Sequence, residues 1–360
     1  MMTGESFEPS LYAVTKETNP NVMAICYAQG WAANENYMTF EEAAAVTDIG
    51  TAFSNKYVRF SFNEFQYFTS VTSVPNSAFN NTYLTSIKFP PNLQSIGMLA
   101  FRYAFLREVI IPYSLKTIQA NSFQDCRYLT KFIFDNNNTS VANIDWISNT
   151  KCNTIEIGDN CTNFQAYDNC LYSANYNTLY RCASYRSSIT FHPNITTFGN
   201  NALSRVQLTS LIVPSTVTTL PSQFASNSLL VSVDFNNVTK LGDSAFAYSR
   251  YASIDFTNTK IKTLTSLEFR GTPITFVRVS TSITSINNTF QDCTRINTII
   301  CESTTPPSIS SIGRTSIYNN ASKNNLHIYV PDAAVDTYKT ASVWSTLADY
   351  IYPVSDYIPS

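Results

Sequence analysis

A unit of about twenty-two residues recurs along this chain, and it restricts the possible folds more than any other feature. Five copies show it most clearly: LTSIKFPPNLQSIGMLAF from Leu84, LREVIIPYSLKTIQANSFQDC from Leu106, LTSLIVPSTVTTLPSQF from Leu208, LVSVDFNNVTKLGDSAF from Leu230 and ITFVRVSTSITSINNTFQDC from Ile274. Each opens on an apolar residue and repeats apolar residues three and five places on, often with Pro next. A second Ile or Leu follows near the twelfth place and a Phe near the seventeenth. Ten such units start at Leu84, Leu106, Leu129, Cys152, Arg186, Leu208, Leu230, Tyr251, Ile274 and Ile296, and eight of the nine steps between them lie between 21 and 23 residues. A fixed period of this length marks a chain built from stacked coils.

The alternating pairs Ile87 and Phe89, Val109 and Ile111, Leu211 and Val213, Val233 and Phe235, and Val277 and Val279 have the period of a strand with one buried face. Pro90, Pro112 and Pro214 then remove the N–H that would continue the ladder. Ile96, Ile118, Leu220, Leu241 and Ile286 bring the chain back inward, and Phe101, Phe123, Phe224, Phe246 and Phe290 fill the interior behind them. One unit cannot bury its own apolar face, but stacked units share a continuous core. The fold class expected is α/β and β-rich: a right-handed leucine-rich-repeat solenoid with a parallel sheet on its concave face and short helical caps at both ends.

The boundaries expected are a disordered or linker segment at 1–19, an N-terminal helical cap at 20–54, the solenoid at 55–331 and a C-terminal cap at 332–360. The one long step, 34 residues from Cys152 to Arg186, contains CLYS and TLYRC around the turn segment ANYN. It reads as a β-hairpin inserted around 165–186 and protruding from the solenoid. A second insertion, containing TTPPSISSIGRTS, precedes IYVP at Ile328 and reads as a turn-rich excursion. In the N-terminal cap, Val22, Ile25, Cys26 and Trp31 are the apolar positions, and Thr39 and Glu42 stand in capping-box register. In the C-terminal cap, Asp332 stands where it can N-cap a helix that turns Ala334, Val335 and Tyr338 inward. Trp344 and Leu347 continue that apolar face, and Tyr352-Pro353 ends it.

Only 13% of the residues are charged and the formal net charge is −2, so Asn, Ser and Thr supply most of the polar surface. The densest basic region is a loose scatter of Arg102, Arg107, Lys116 and Arg127, not the stripe that nucleic-acid binding needs. No apolar run reaches the ~18 residues of a membrane helix, and Met1–Ser10 has no signal-peptide pattern. Either a cytoplasmic protein or a trimmed mature form fits these facts. The eight cysteines include Cys126 and Cys293 at equivalent places in their units, which reads as buried thiols in a stack. Cys152, Cys161, Cys170 and Cys182 leave a local disulfide open, and their spacing is no recognised zinc pattern.

Little in the chain suggests catalysis. His192 and His327 are the only histidines, and six coils at ~4.8 Å each keep them roughly 25 Å or more apart. The nine glycines are scattered singly, so no phosphate-cradling loop is present. No catalytic residue, cofactor or metal is expected.

The pattern of Phe-Pro or Ile-Pro closing a strand, then Ser-Ile-Gly, then Ala-Phe and sometimes Cys resembles the BspA-like, Treponema-pallidum-type leucine-rich-repeat family. It is carried by KFPPNLQSIGMLAF at 88–101, IIPYSLKTIQANSFQDC at 110–126 and KLGDSAF at 240–246. The closing IYVPDAAVDTYKTASVWSTLADYIYPV and EEAAAVTDIGTAF near residue 41 resemble the ends of such proteins from gut Bacteroides relatives. The resemblance spans roughly 20–355. It implies a surface or secreted protein, possessing in some members an adhesin role, with the signal peptide removed here. It also implies an EF-hand-like loop over Trp31–Glu42, but Trp31 and Ala33 replace key oxygens and Asn36 replaces the turn glycine, which argues against calcium there.

The function expected is a non-enzymatic cell-surface or secreted binding protein, of adhesin type, facing a protein on another cell or a host surface. The alternatives are a carbohydrate-binding surface protein and a structural surface component without a specific ligand. The ligand face expected is the outward column of the sheet: Glu108, Ile110, Lys131 and Ile133, then Asp234 and Asp255 beside Phe276 and Arg278, the last two as anchors. Tyr172, Tyr176 and Tyr180 of the insertion form the second candidate.

Overall fold

A computed structural model describes residues 8–138, 150–264, 266–310, 317 and 325–359. The chain divides into two compact units, 1–174 with 183–185, and 175–182 with 186–360.

The first unit opens on two short helices, Pro20–Ala28 and Phe40–Ala45. The capping box is formed: Thr39 accepts from the Glu42 N–H, and Glu42 accepts from the Thr39 N–H at 2.8 Å. The other Glu42 oxygen accepts from the Ala33 N–H at 2.9 Å. Both oxygens of the carboxylate therefore close the loop itself. The segment before this cap is ordered from residue 8, contrary to the linker expected at 1–19; residues 1–7 lie outside the described ones. Val14–Thr15 pairs antiparallel with Tyr37–Met38, and the buried Asn19 donates to the Ser61 carbonyl at 2.7 Å and to Glu64 at 3.0 Å. Long-range pairing fixes this stretch, and nothing in its own sequence shows that.

Coils follow. Phe60–Phe62 pairs parallel with Leu84–Ile87, and Glu108–Ile111, Lys131–Phe134 and Thr154–Ile157 form a parallel ladder in strict register. A second ladder of two-residue strands, Ser73–Val74, Ser95–Ile96 and Thr117–Ile118, lies where the returning Ile was expected. Phe79, Phe101 and Phe123 are fully buried and stack face to face, at 5.0 and 4.9 Å.

The second unit repeats the plan. Ser210–Ile212 pairs with Ser232–Asp234, and Ser253–Asp255, Phe276–Val279, Thr298–Cys301, His327–Val330 and Ile351–Pro353 make a five-stranded parallel sheet. The short ladder continues in Thr219–Leu220 with Lys240–Leu241 and in Thr263–Leu264 with Ser285–Ile286. Phe246, Phe269 and Phe290 carry the aromatic stack. Three expectations need correction here. The segment 188–190 forms no strand; Thr178–Leu179 pairs with the short strand Thr197–Phe198 instead. Asp332 caps no helix, since its carboxylate accepts from the Ser355 N–H at 3.1 Å and so ties down the chain end. Tyr352-Pro353 does not end the fold but belongs to its last strand. Buried Ala334, Tyr338, Trp344 and Leu347 do cover the core, with the Trp344 indole donating to the Pro307 carbonyl at 2.8 Å. Residues 311–316 and 318–324 of the excursion expected before Ile328 lie outside the described residues.

In several coils two corners adopt the left-handed conformation, two places either side of the stacked Phe. Leu99 and Tyr103 flank Phe101, Ser244 and Tyr248 flank Phe246, and Leu267 and Gly271 flank Phe269, with φ between 55 and 64°. Close coil contact also explains the Gly of the Ser-Ile-Gly pattern. A Cβ at Gly97 or Gly242 would lie 2.8 or 2.4 Å from the carbonyl carbon of Pro75 or Pro221 in the coil before. Gly242→Ala is expected to cost about 1–3 kcal/mol through overpacking, read as a lowered denaturation midpoint; an unchanged midpoint would show that these coils have slack.

In the insertion, Phe164–Tyr167 and Cys170–Ser173 form an antiparallel pair joined by Asp168 and Asn169, both at positive φ as in a two-residue hairpin turn. Cys170, Leu171, Tyr172, Leu179, Arg181 and Cys182 are buried, so these strands are packed into the protein and do not project as a free hairpin. Cys170 and Cys182 are disulfide-bonded, whereas Cys152 and Cys161 remain buried thiols.

Candidate binding surface

Register decides which side chains share the outward face of the sheet. In the first unit Glu108, Lys131 and Thr154 lie side by side, as do Ile110, Ile133 and Glu156. Lys131 bridges Glu156 at 2.8 Å and Glu108 at 3.5 Å. The Glu156 carboxylate, first, and Glu108 with it hold the Lys131 ammonium above its ordinary range against a smaller opposing desolvation. Ile110 is 46% exposed beside half-buried Ile133. The face therefore carries a small apolar step inside a ring of paired charge.

In the second unit one row runs Ser253, Phe276, Thr298 and His327, and the next runs Asp255, Arg278, Ile300, Tyr329 and Tyr352. Arg278 donates from Nε to Glu302 at 2.9 Å, with both side chains about one-third exposed. Ile300, which alternation alone would turn outward, is buried between its row neighbours Arg278 and Tyr329. The two aspartates have a local task. Asp234 accepts from the Asn236 N–H at 3.0 Å, and Asp255 accepts from the Thr257 N–H at 2.8 Å and hydroxyl at 2.7 Å. These turns end the strand where other coils use Pro, so both carboxylates are committed to the chain's own corners.

Around Phe276 the structure gathers aromatic rings that sequence reasoning left out. Tyr357 lies 6.4 Å from Phe276 and 5.1 Å from Tyr329; Tyr352 lies 6.1 Å from Tyr329 and 5.1 Å from His327. His327 and Tyr329 are themselves 5.9 Å apart and nearly parallel. Burial, and then Tyr352, Asp356 and Tyr357, push the Tyr329 phenol up from its usual range. One signal was present: HIYV alternates His and Tyr onto one face. Tyr352 and Tyr357 had none, because only the pairing of Ile351–Pro353 brings them there.

The second candidate loses a member. Tyr172 is fully buried and offers a ligand no surface. Tyr176 stacks on His192 at 4.1 Å, and Tyr180 is half-buried. Among the described residues no group of three or more His, Cys, Asp or Glu side chains could hold a metal ion, and no helix is long and apolar enough to cross a membrane.

Comparison with known proteins agrees with this architecture. The chain matches the family model described as BspA type leucine rich repeat region over residues 50–173, 168–267 and 262–340. No curated protein matches it. Among solved structures it is similar to the pneumococcal vaccine antigen PcpA, at 13% identity over 89% of this chain and 85% of that one, with a TM-score of 0.45. It is also similar to a leucine-rich repeat protein from Bacteroides ovatus, at 17% identity over 73% and 76% of the two chains and a TM-score of 0.29. A leucine rich cell surface protein from Faecalibacterium prausnitzii gives 18% identity over 72% and 57%, with a TM-score of 0.32. With the repeat, the parallel ladders and the family match in agreement, this chain belongs to the BspA-type leucine-rich-repeat family.

Proposed function

We propose that this protein is a non-enzymatic adhesin, exposed on a cell surface or secreted, that binds a protein partner through the outward face of its second unit. The observation that carries the proposal is the cluster of Phe276, Tyr329, Tyr352 and Tyr357 beside the half-buried Arg278–Glu302 pair. Aromatic and Arg side chains on a rigid sheet are the residue types that dominate protein interfaces. Their conformations are held by neighbouring strands, so little freedom remains to be lost on binding. The disulfide-bonded Cys170 and Cys182 fit an oxidising compartment, which supports the surface or extracellular location.

The test uses the full chain against purified extracellular-matrix and bacterial surface proteins by biolayer interferometry. Where a partner is found, Arg278→Ala and Tyr329→Ala are each expected to weaken binding about 5- to 30-fold, the effect of 1–2 kcal/mol at a hot spot. Lys131→Ala in the first unit is expected to leave it within about twofold. Undiminished binding by both second-unit variants would move the site elsewhere.

A further inference from the structure

The first unit carries another surface, unused by the proposal above. Tyr83, Phe105 and Tyr128 each stand immediately before the leucine that leads a coil, Leu84, Leu106 and Leu129. Stacking of the coils turns this recurrence into a ladder: Tyr57 meets Tyr83 at 5.9 Å, Tyr83 stacks on Phe105 at 4.4 Å, and Phe105 meets Tyr128 at 4.8 Å. Tyr57 and Tyr128 are more than half exposed.

Clefts lie along this spine. One, of about 190 Å3, is lined by Tyr83, Phe105 and Tyr128 together with Arg59, Thr85 and Arg107. A second, of about 410 Å3, is lined by the same three rings and by Arg127. A third, of about 300 Å3, joins Arg107, Arg127 and Tyr128 to Lys151. Arg59, Arg107, Arg127 and Lys151 are exposed, and among the described residues their side chains form no ion pair or hydrogen bond. The one acid of these walls, Asp125, already faces Arg102 at 3.7 Å. Residues scattered in sequence thus become a compact basic shelf on a chain whose net charge is negative.

The rings add to this. Tyr83 and Phe105 stack on each other, and both line the first two clefts. A ring edge carries the positive part of the aromatic quadrupole. Rings and cations together select an anion, and Arg forks grip carboxylate or sulfate oxygens bidentately.

The spacing selects the polymer. Arg59 and Arg107 flank Thr85, two coils apart, or about 10 Å at ~4.8 Å per coil. An extended peptide repeats same-side groups every ~6.7 Å and falls out of step with that interval. An extended acidic polysaccharide, with one charge per disaccharide, stays in step. We propose that the shelf formed by Tyr83, Phe105 and Tyr128 with Arg59, Arg107, Arg127 and Lys151 binds an acidic polysaccharide lying along the coil axis.

The test measures binding of the full chain to a κ-carrageenan octasaccharide and to a hyaluronate octasaccharide, each with one charge per disaccharide, by calorimetry. The first arm reads sulfate, the second carboxylate; a polyglutamate peptide and single-stranded DNA of matched charge are the competitors. Binding to at least one glycan is expected, weakening as salt rises. The double variant Arg107→Gln/Arg127→Gln is expected to lose at least about tenfold and Tyr128→Ala several-fold, while Arg278→Ala changes nothing. These positions are exposed, so circular dichroism melts are expected to match the parent. Failure of both glycans to bind, full binding by the double variant, or tighter binding of either competitor overturns the assignment. None of those results touches the protein-binding face of the second unit.

Discussion

Phe246→Ala is expected to lower the stability of the protein by about 3–5 kcal/mol, the range for removing a fully buried aromatic ring. The ring is buried completely. It stacks on Phe269 at 5.5 Å and meets Phe224, Phe235 and Tyr251 edge-on at 5.9, 5.8 and 5.7 Å. Those five rings come from consecutive coils, so the cavity opens in several coils at once and no single side chain can collapse into it. A coil draws its stability from its neighbours, and the loss therefore spreads along the stack. The melting midpoint is expected to fall by roughly 10 °C, taking about 2–4 °C per kcal/mol for a domain this size. Phe246→Leu keeps most of the volume and is expected to cost clearly less. If alanine costs under about 1 kcal/mol by urea denaturation, the stack is not what holds these coils together.

The same residue shows what the sequence makes legible. Phe recurs because most coils have one interior place large enough for a ring, and the short-strand Ile or Leu recurs because it meets that ring from the other side. These requirements repeat with every coil, so they leave a period in the sequence. The left-handed corners leave none. Leu99, Tyr103, Tyr248 and Leu267 hold positive φ although nothing about Leu or Tyr favours it. The reason is long-range: the Tyr103 N–H donates to the Gln124 carbonyl at 3.1 Å, and the Tyr248 N–H to the Arg270 carbonyl at 2.7 Å, each one coil onward. Hydrogen bonds between coils fix the corner, and the residue type follows with little say.

The binding surface divides along the same line. Phe276 and Arg278 could be placed from strand alternation alone. Asp234 and Asp255 were placed on the right strands by the same rule, yet their oxygens serve strand-ending turns that alternation does not describe. Tyr357 reaches Phe276 only because the chain end returns to the sheet. The basic shelf of the first unit did have a signal, an aromatic residue before the leading leucine at 83, 105 and 128. Its chemistry becomes visible only when the column is read across coils, since Arg59 and Lys151 are far apart in sequence.

Alkaline pH is expected to unfold this protein well before its backbone chemistry is affected, and its buried thiols are the cause. Burial raises the thiol of Cys26 to about 12, that of Cys301 to about 12 and that of Cys293 to about 11, from 9.0 in an open chain; burial pushes Cys126 up further still. In the fold these groups keep a proton that the unfolded chain releases. Stability is therefore unaffected below about pH 8.5 and lost as pH climbs toward the folded values, at about 1.4 kcal/mol per thiol for each unit of pH. Four thiols over two units withdraw on the order of 10 kcal/mol as an upper bound, comparable with the whole stability of a typical protein. Burial also raises the phenols of Tyr251 and Tyr338, which extend the loss above about pH 10. Thr82 and Thr272 suggest the decisive variant, for each stands three places after a stacked Phe and donates its hydroxyl to that Phe carbonyl at 2.9 and 2.8 Å. Cys126 and Cys293 occupy the same place, donating to the carbonyls of Phe101 and Phe269 at 2.9 and 3.0 Å. Cys126→Thr/Cys293→Thr fits that place, keeps a hydrogen-bond donor and removes two titrating groups. Its alkaline unfolding midpoint, followed by far-UV circular dichroism, is expected to lie above the parent's while the two agree at pH 7 within about 1–2 kcal/mol. Coincident alkaline midpoints for the two proteins would take Cys126 and Cys293 out of the account and leave the transition to the other buried thiols and the tyrosines.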